Sequence, residues 1–196
     1  MRPLILGVTG ASGVIYARRL ARCLIDLDVP LHLVVSSAAK CVMADELGVR
    51  SFTLENFLGA PVAGITLHAN QDIGAAIASG SYLTSGMVVC PCSSHTLAAI
   101  AGGLGDNLIK RAAMVTLKEA RRLVVVPREM PLSQIELDNM LRISRAGGIV
   151  CPACPGFYME PQRVEDLVDF VVGRVLDLLG LEHSLIARWK PAEENR

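Results

Sequence analysis

Short runs of consecutive apolar residues alternate along this chain with segments whose apolar positions recur at helical spacing. Pro3 to Val8 is the first run and ends in TGASG. Val14 to Leu27 follows with the 3.6-residue period of a half-buried helix, and Leu31 to Val35 is a second apolar run, so the opening reads as strand, helix, strand. Ala38 to Leu47 predicts a short helix, while the stretch from Gly48 to Thr84 has no clear period and predicts no element. Met87 to Cys90 predicts a third buried strand, and Ser94 to Ala101 and Asn107 to Glu119 predict helices parted by the glycine-rich GGLGDN. Leu123 to Val126, Ser133 to Arg145 and Gly148 to Cys151 continue the alternation as strand, helix, strand. The last helix is the clearest, because Val164, Leu167, Val168, Val171, Val172, Val175, Leu176 and Leu179 mark one apolar face, with Arg174 near its edge.

Strands that are apolar on both faces and separated by helices imply a mainly parallel sheet covered on both sides. The expected fold is therefore a single α/β domain over residues 1–190, a Rossmann-like (flavodoxin-like) three-layer sandwich, with 191–196 a loose tail.

Composition narrows the function. With 19 basic and 19 acidic residues there is no basic excess to neutralise phosphates, which argues against a nucleic-acid partner. Residues 73–105 contain no Asp, Glu, Lys or Arg, yet glycines, serines and Pro91 interrupt them, so they read as buried sheet plus subunit interface instead of a membrane span. A mean hydropathy of +0.43 favours a homo-oligomer. The apolar stretch in MRPLILGVTG is too short for a signal peptide, and a cytoplasmic location is expected. Six cysteines, at 23, 41, 90, 92, 151 and 154, read as free thiols. The pairs 90/92 and 151/154 follow apolar strands instead of forming polar knuckles, so packing explains them better than zinc and no metal is expected.

In a parallel sheet, ligands gather beyond the carboxyl ends of the strands. The residues at those places are Thr9 to Gly13, Ser36-Ser37, Pro91 to Thr96, Arg128-Glu129, and Pro155 to Tyr158. Three of these turns combine hydroxyls, glycine and the backbone donors of helix starts, the chemistry of a phosphate cradle. GVTGASG by itself decides little, since Gly10 and Gly13 also suit a plain tight turn. It lacks the GxGxxG spacing, and Ser36-Ser37 stands where a dinucleotide fold has an acid for the ribose, so a nicotinamide cofactor is disfavoured. A GxxxxGK[ST] phosphate loop is also missing. No Ser/His/Asp arrangement is legible; His32 and His68 read as structural, and neither His95 nor His183 stands out as a catalyst. Arg111 and Lys118, seven residues apart, share a helical face, which exposed cations often do without a role. Arg128 and Glu129 differ: they follow a buried strand, with Pro127 and Pro131 restricting the backbone around them.

Taken together, TGASGVIY, the VVSSAA turn with Glu46 ten residues on, SGSYLTSGMVVCPCSSHTL, DNLIKRAAMVTLKEARRLVVVPREMPL and CPGFYMEPQ with VVGRVLDLLGL resemble the UbiX/Pad1 flavin prenyltransferases nearly end to end. The resemblance implies a dodecameric flavoprotein that joins a dimethylallyl group from dimethylallyl monophosphate to reduced FMN, without a metal, and supplies prenylated FMN to a UbiD-type decarboxylase. Gly10, Ala11, Ser12, Ser36, Ser93, Ser94, His95, Thr96 and Arg128 match the family's flavin contacts. Lys118, Glu129, Tyr158 and Arg174 match positions around the prenyl phosphate, with Arg111, Glu46 and Trp189 also at matching places. In that setting Lys118, Tyr158 and Arg174 hold the leaving phosphate, Glu129 and Glu46 move protons, and Ser12 hydrogen-bonds near flavin N5.

Ser37, Met114, the EARR run and Met159 depart from the family's usual pattern and leave the choice between monophosphate and diphosphate donors open. Two other readings compete with this one. A cysteine-type decarboxylase of the same fold would carry a PASANT turn and a histidine after the first helix, where this chain has PCSSHT and none between Tyr16 and Pro30. A non-enzymatic FMN carrier would have no use for Lys118, Arg128 and Arg174 as a second phosphate site.

Overall fold

The structure, a computed structural model, describes residues 1–186; Trp189 and the expected tail lie outside the described residues. Six parallel strands form one sheet in the order β3-β2-β1-β4-β5-β6, with ranges β1 Leu4–Val8, β2 Leu31–Val35, β3 Ile65–Ala69, β4 Gly86–Cys92, β5 Arg122–Pro127 and β6 Ile149–Val150. Seven helices cover it: α1 Val14–Asp26, α2 Ser37–Leu47, α3 Leu54–Leu58, α4 Ser94–Ala101, α5 Leu108–Lys118, α6 Gln134–Arg145 and α7 Val164–Leu179. This is the expected three-layer α/β sandwich.

The strands are apolar throughout because each side chain, up or down, meets a helix. Leu4, Leu6 and Val8 of β1 join Val88, Val124 and Val126 in a core closed by α1, α2, α3 and α7. Ile5 faces the other way, with Met87, Val89, Leu123 and Val125, into a second core closed by α4, α5 and α6. Five of the expected strands and six of the expected helices are present within a residue or two of their expected ends.

The stretch without a clear period holds what the sequence left unassigned: α3, β3 and a turn of 3-10 helix at Ala76–Ala78. β3 pairs on one side only, with β2, and is half exposed along its length, so it never needed the continuous apolar run that marks β1, β2, β4 and β5. Among the described residues, no helix is long and apolar enough to cross a membrane.

The order of the strands reverses direction between β1 and β4. From that point the chain runs one way through β2 to β3 and the other way through β5 to β6. The crevice beyond the carboxyl ends of β1 and β4 is where such a sheet offers a ligand site.

Candidate active site

The turns that leave β1, β2 and β4 are bound to one another by hydrogen bonds that cross the switch point. Thr9, 2% exposed, donates its hydroxyl to the Pro91 carbonyl at 2.8 Å and accepts the Ser93 amide at 2.8 Å. The Ser36 amide donates to the Val8 carbonyl at 3.0 Å, which ties the second turn to the first. Ser36 and Ser93 then cap α2 and α4, accepting from the Ala39 and Thr96 amides. Gly10 permits the close fit of these turns: a Cβ there would lie 2.5 Å from the Ala38 Cβ. Gly13 caps α1 at φ 99°, in the left-handed region that favours glycine.

Charge is added from β5 and α2. Arg128 reaches back across the crevice to donate its Nε to the Ser12 carbonyl at 3.3 Å. Glu129 accepts the Ser94 hydroxyl at 2.9 Å, so its carboxylate stands beside the start of α4. The Glu46 carboxylate, from α2, accepts the amides of Gly13 (2.9 and 3.1 Å) and Val14 (3.1 Å) and so satisfies the start of α1. That helix start is the usual pyrophosphate seat of dinucleotide folds, and here a side chain of the protein fills it. The first-turn amides of α4, at Ser94 and His95, have no partner within their own helix, which starts directly beyond the carboxyl end of β4.

Two residues outside the expected set belong to this crest. Thr9 makes the link between the β1 and β4 turns, and a hydroxyl directly after a buried strand is the signal that marked it. Tyr16, in the first turn of α1, has its phenol raised by burial and by the nearby Cys90, Cys154 and Glu46, against the pull of Arg128. It therefore sits among the groups that frame the crevice, a position that the TGASGVIY motif contains but does not explain.

The remaining expected residues are spread more widely. Lys118 ends α5, exposed and 3.5 Å from Glu119, at the amino end of β5, while Arg128 follows its carboxyl end. The six residues of β5 put about 20 Å between them. Arg111 is exposed in the first turn of α5, its Nε 3.4 Å from the Ala78 carbonyl. Arg174, on α7, donates to Asp177 at 2.9 Å, and its charge reaches the Cys151 thiol, which burial pushes up. Tyr158 is 69% exposed, with its ring edge-on to Phe170 at 5.8 Å. His95 is exposed in the first turn of α4. The flavin half of the expected set thus lies on the crest within one chain, and Lys118 stands at the opposite end of the sheet. The cysteines are free, with Cys90 and Cys92 buried. Among the described residues no cluster of three or more His, Cys, Asp or Glu is placed to hold a metal.

A family model described as Flavoprotein matches residues 1–176. The flavin prenyltransferase UbiX of Halalkalibacterium halodurans is 45% identical over 194 residues, covering 97% of this chain and 94% of its own. The UbiX of Pseudomonas aeruginosa is 47% identical over 193 residues, covering 94% and 92%. The chain belongs to the UbiX flavin prenyltransferase family. Solved UbiX structures agree in fold. AnUbiX (PadA1), in complex with FMN and dimethylallyl pyrophosphate, superposes with a TM-score of 0.89 at 41% identity, covering 98% of this chain and 99% of that one. A dodecameric FMN-dependent UbiX-like decarboxylase from Escherichia coli O157:H7 superposes with a TM-score of 0.87 at 44% identity, covering 96% and 100%. A PPC decarboxylase mutant complexed with pantothenoylaminoethenethiol reaches a TM-score of 0.62 at 20% identity, a likeness of fold alone.

Proposed function

We propose that this UbiX-family chain transfers a dimethylallyl group from dimethylallyl phosphate to reduced FMN, giving prenylated FMN for a UbiD-type decarboxylase. The observation that carries the reading is the convergence of three hydroxyl- and amide-rich turns at the β1/β4 switch point, with Arg128 and Glu129 facing them across the crevice.

The crest suits a flavin mononucleotide. With the start of α1 taken by Glu46, the phosphate is assigned to the start of α4, where the Ser94 and His95 amides, the Thr96 hydroxyl and the Arg128 guanidinium provide donors and charge. Ser12 and Ser36, on the neighbouring turns, supply hydroxyls for the rest of the molecule, and Gly10 and Ala11 keep the floor of the turn small. When bound in its reduced form, the flavin supplies the nucleophilic ring positions that accept the five-carbon group.

The protein's own task is then positioning, charge and proton handling. Departure of phosphate from an allylic carbon leaves a multiply charged anion, which needs cations held in place before the bond breaks. Lys118, Tyr158 and Arg174 are assigned to that anion, with Trp189 and Arg111 beside them. Glu129, oriented by the Ser94 hydroxyl, moves a proton at the reacting face, and Glu46 does so from the α1 side while holding Gly13 and Val14.

Lys118 stands about 20 Å from Arg128 along β5, so it joins the pocket only as the Lys118 of a neighbouring copy. An assembly also accounts for the apolar side chains left outside: Met130 is 86% exposed, Ile135 68% and Leu104 61%. We read this chain as a homo-oligomer, a dodecamer like the Escherichia coli relative, working in the cytoplasm.

The test is anaerobic release of phosphate from dimethylallyl monophosphate, and of diphosphate from the diphosphate donor, followed continuously with and without reduced FMN. Release that requires reduced FMN is expected. Release at the same rate without flavin would make the chain a phosphatase and overturn the reading.

A further inference from the structure

Away from the crest, α1 and α7 pack side by side and leave a cleft of about 370 Å³ between them. Arg18, Arg19 and Arg22 of α1 and Arg163, just before α7, line it against two carboxylates, Glu165 and Asp169. Asp169 is already committed, because Arg19 grips it with two hydrogen bonds of 2.5 and 3.1 Å. Arg163 turns outward toward Asp166 at 3.4 Å.

Arg18 and Arg22 are left one helical turn apart on the same face, a spacing at which like charges repel. Arg22 donates Nε and Nη2 to the Leu58 carbonyl, which satisfies hydrogen bonds and leaves its charge uncompensated. Arg18 has less. Its Nε is buried and, among the described residues, is the buried side-chain nitrogen or oxygen that finds no partner. Burial first, and Arg22 second, push the Arg18 guanidinium below its ordinary range, the direction expected of a charge held without a counter-ion. A buried donor left unmade costs free energy that a matching acceptor would recover.

We propose that this cleft is a binding site for a small phosphate monoester, its phosphoryl oxygens on Arg18 and Arg22 and a short apolar group against Ile15 and Val168. Two guanidiniums with no carboxylate of their own suit a dianion, and planar N–H forks match phosphoryl geometry. The cleft is concave and lies at the small end of the volumes that hold metabolites, about 300–1,000 Å³, which favours a small molecule over an acidic protein surface. It is separate from the proposed prenyl-transfer site, since its anion-binding residues Arg18 and Arg22 lie along the body of α1 while Gly13 and Val14 at its start bind Glu46. The inference does not rest on that function.

The experiment uses the assembled, flavin-loaded protein, titrated calorimetrically with inorganic phosphate and with butyl phosphate. Wild type is expected to bind both, butyl phosphate more tightly because of Ile15 and Val168. Arg18→Gln is expected to weaken binding at least about tenfold with flavin content and prenyl-transfer rate unchanged, and Arg174→Gln is expected to keep the site. Glu165→Gln, which removes a carboxylate from the wall, is expected to tighten it, and serves also if Arg18→Gln does not fold.

Identical isotherms for wild type, Arg18→Gln and Glu165→Gln would overturn the proposal. So would binding lost in Arg174→Gln alone, which would place all of the phosphate at the proposed prenyl-phosphate site. Absence of binding in the assembled wild type would mean that the cleft is filled by a second copy or is simply hydrated, and would overturn it too.

Discussion

Replacing Thr9 by valine tests how the crest is built, because the exchange keeps the shape of a buried side chain and removes only its hydroxyl. That hydroxyl is the shared partner of the Pro91 carbonyl and the Ser93 amide, both at 2.8 Å. The carbonyl retains the Thr9 amide at 3.2 Å, so its loss is one bond of two, about 1 kcal/mol. The Ser93 amide loses its acceptor inside the turn, at about 1–2 kcal/mol for a partly buried group. The sum, about 2–3 kcal/mol, corresponds to a fall in Tm of roughly 4–12 °C for a chain of this size. Scanning calorimetry at fixed protein concentration and without flavin would measure it, since both assembly and ligand raise Tm by mass action. Thr9→Ser retains both hydrogen bonds and loses one methyl group, so it should stay close to wild type. FMN affinity should drop with Thr9→Val, as Ser93 no longer holds the start of α4 in register with β1. A Thr9→Val protein within a degree of wild type, or a Thr9→Ser protein as unstable as Thr9→Val, would refute the claim that this link sets the crest.

Three further expectations follow from the same geometry. Glu129→Gln should retain FMN, because the amide oxygen still accepts from Ser94, while turnover falls about 100-fold or more as the proton-transfer group is lost; a wild-type rate would remove Glu129 from the chemistry. Lys118→Ala and Arg128→Ala chains, each inactive alone, should regain about a quarter of wild-type activity when unfolded and reassembled together, because a shared pocket then draws each residue from a different copy; a mixture as inactive as its parts would place both residues in one chain's site. Burial, and then His68, lowers the pKa of His32, and burial lowers that of His68 against the opposing Asp72. The unfolded chain therefore takes up these protons first, so stability should fall as pH drops through about 6.5 and level off below the folded values. Denaturant midpoints that stay flat between pH 7.5 and 5.5, or slopes unchanged in a His32→Asn, His68→Gln double variant, would contradict this.

The sheet was legible because its central strands are buried on both faces, and a run such as Leu123 to Val126 has no other reading between two helical segments. β3 was not, since Ile65-Thr66-Leu67-His68-Ala69 alternates apolar and polar residues over only five positions inside a stretch with no other regular pattern, and an edge strand with one neighbour needs no continuous apolar run. Within the site, the turn residues were legible by place alone: whatever follows β1, β2, β4 and β5 had to reach the switch point. Glu46 shows the limit. Its position ten residues past the Ser36-Ser37 turn gave no hint that a carboxylate on α2 would occupy the start of α1, because that contact depends on how two helices lie against each other in space. Lys118 shows another. Its spacing from Arg111 fixed a helical face, but the direction of α5 relative to β5 decides which end of the sheet it reaches, and that end is the far one.

The central claim is that the crevice above β1 and β4 presents a flavin to an isoprenoid phosphate and joins the two. The most direct measurement is the mass of the flavin released from the assembled protein after anaerobic incubation with reduced FMN and dimethylallyl monophosphate. A flavin heavier by one five-carbon unit in wild type, and unaltered FMN in the Glu129→Gln protein over the same interval, is the expected result. Folded, flavin-loaded wild-type protein that returns FMN of unchanged mass with either the monophosphate or the diphosphate donor would contradict the account.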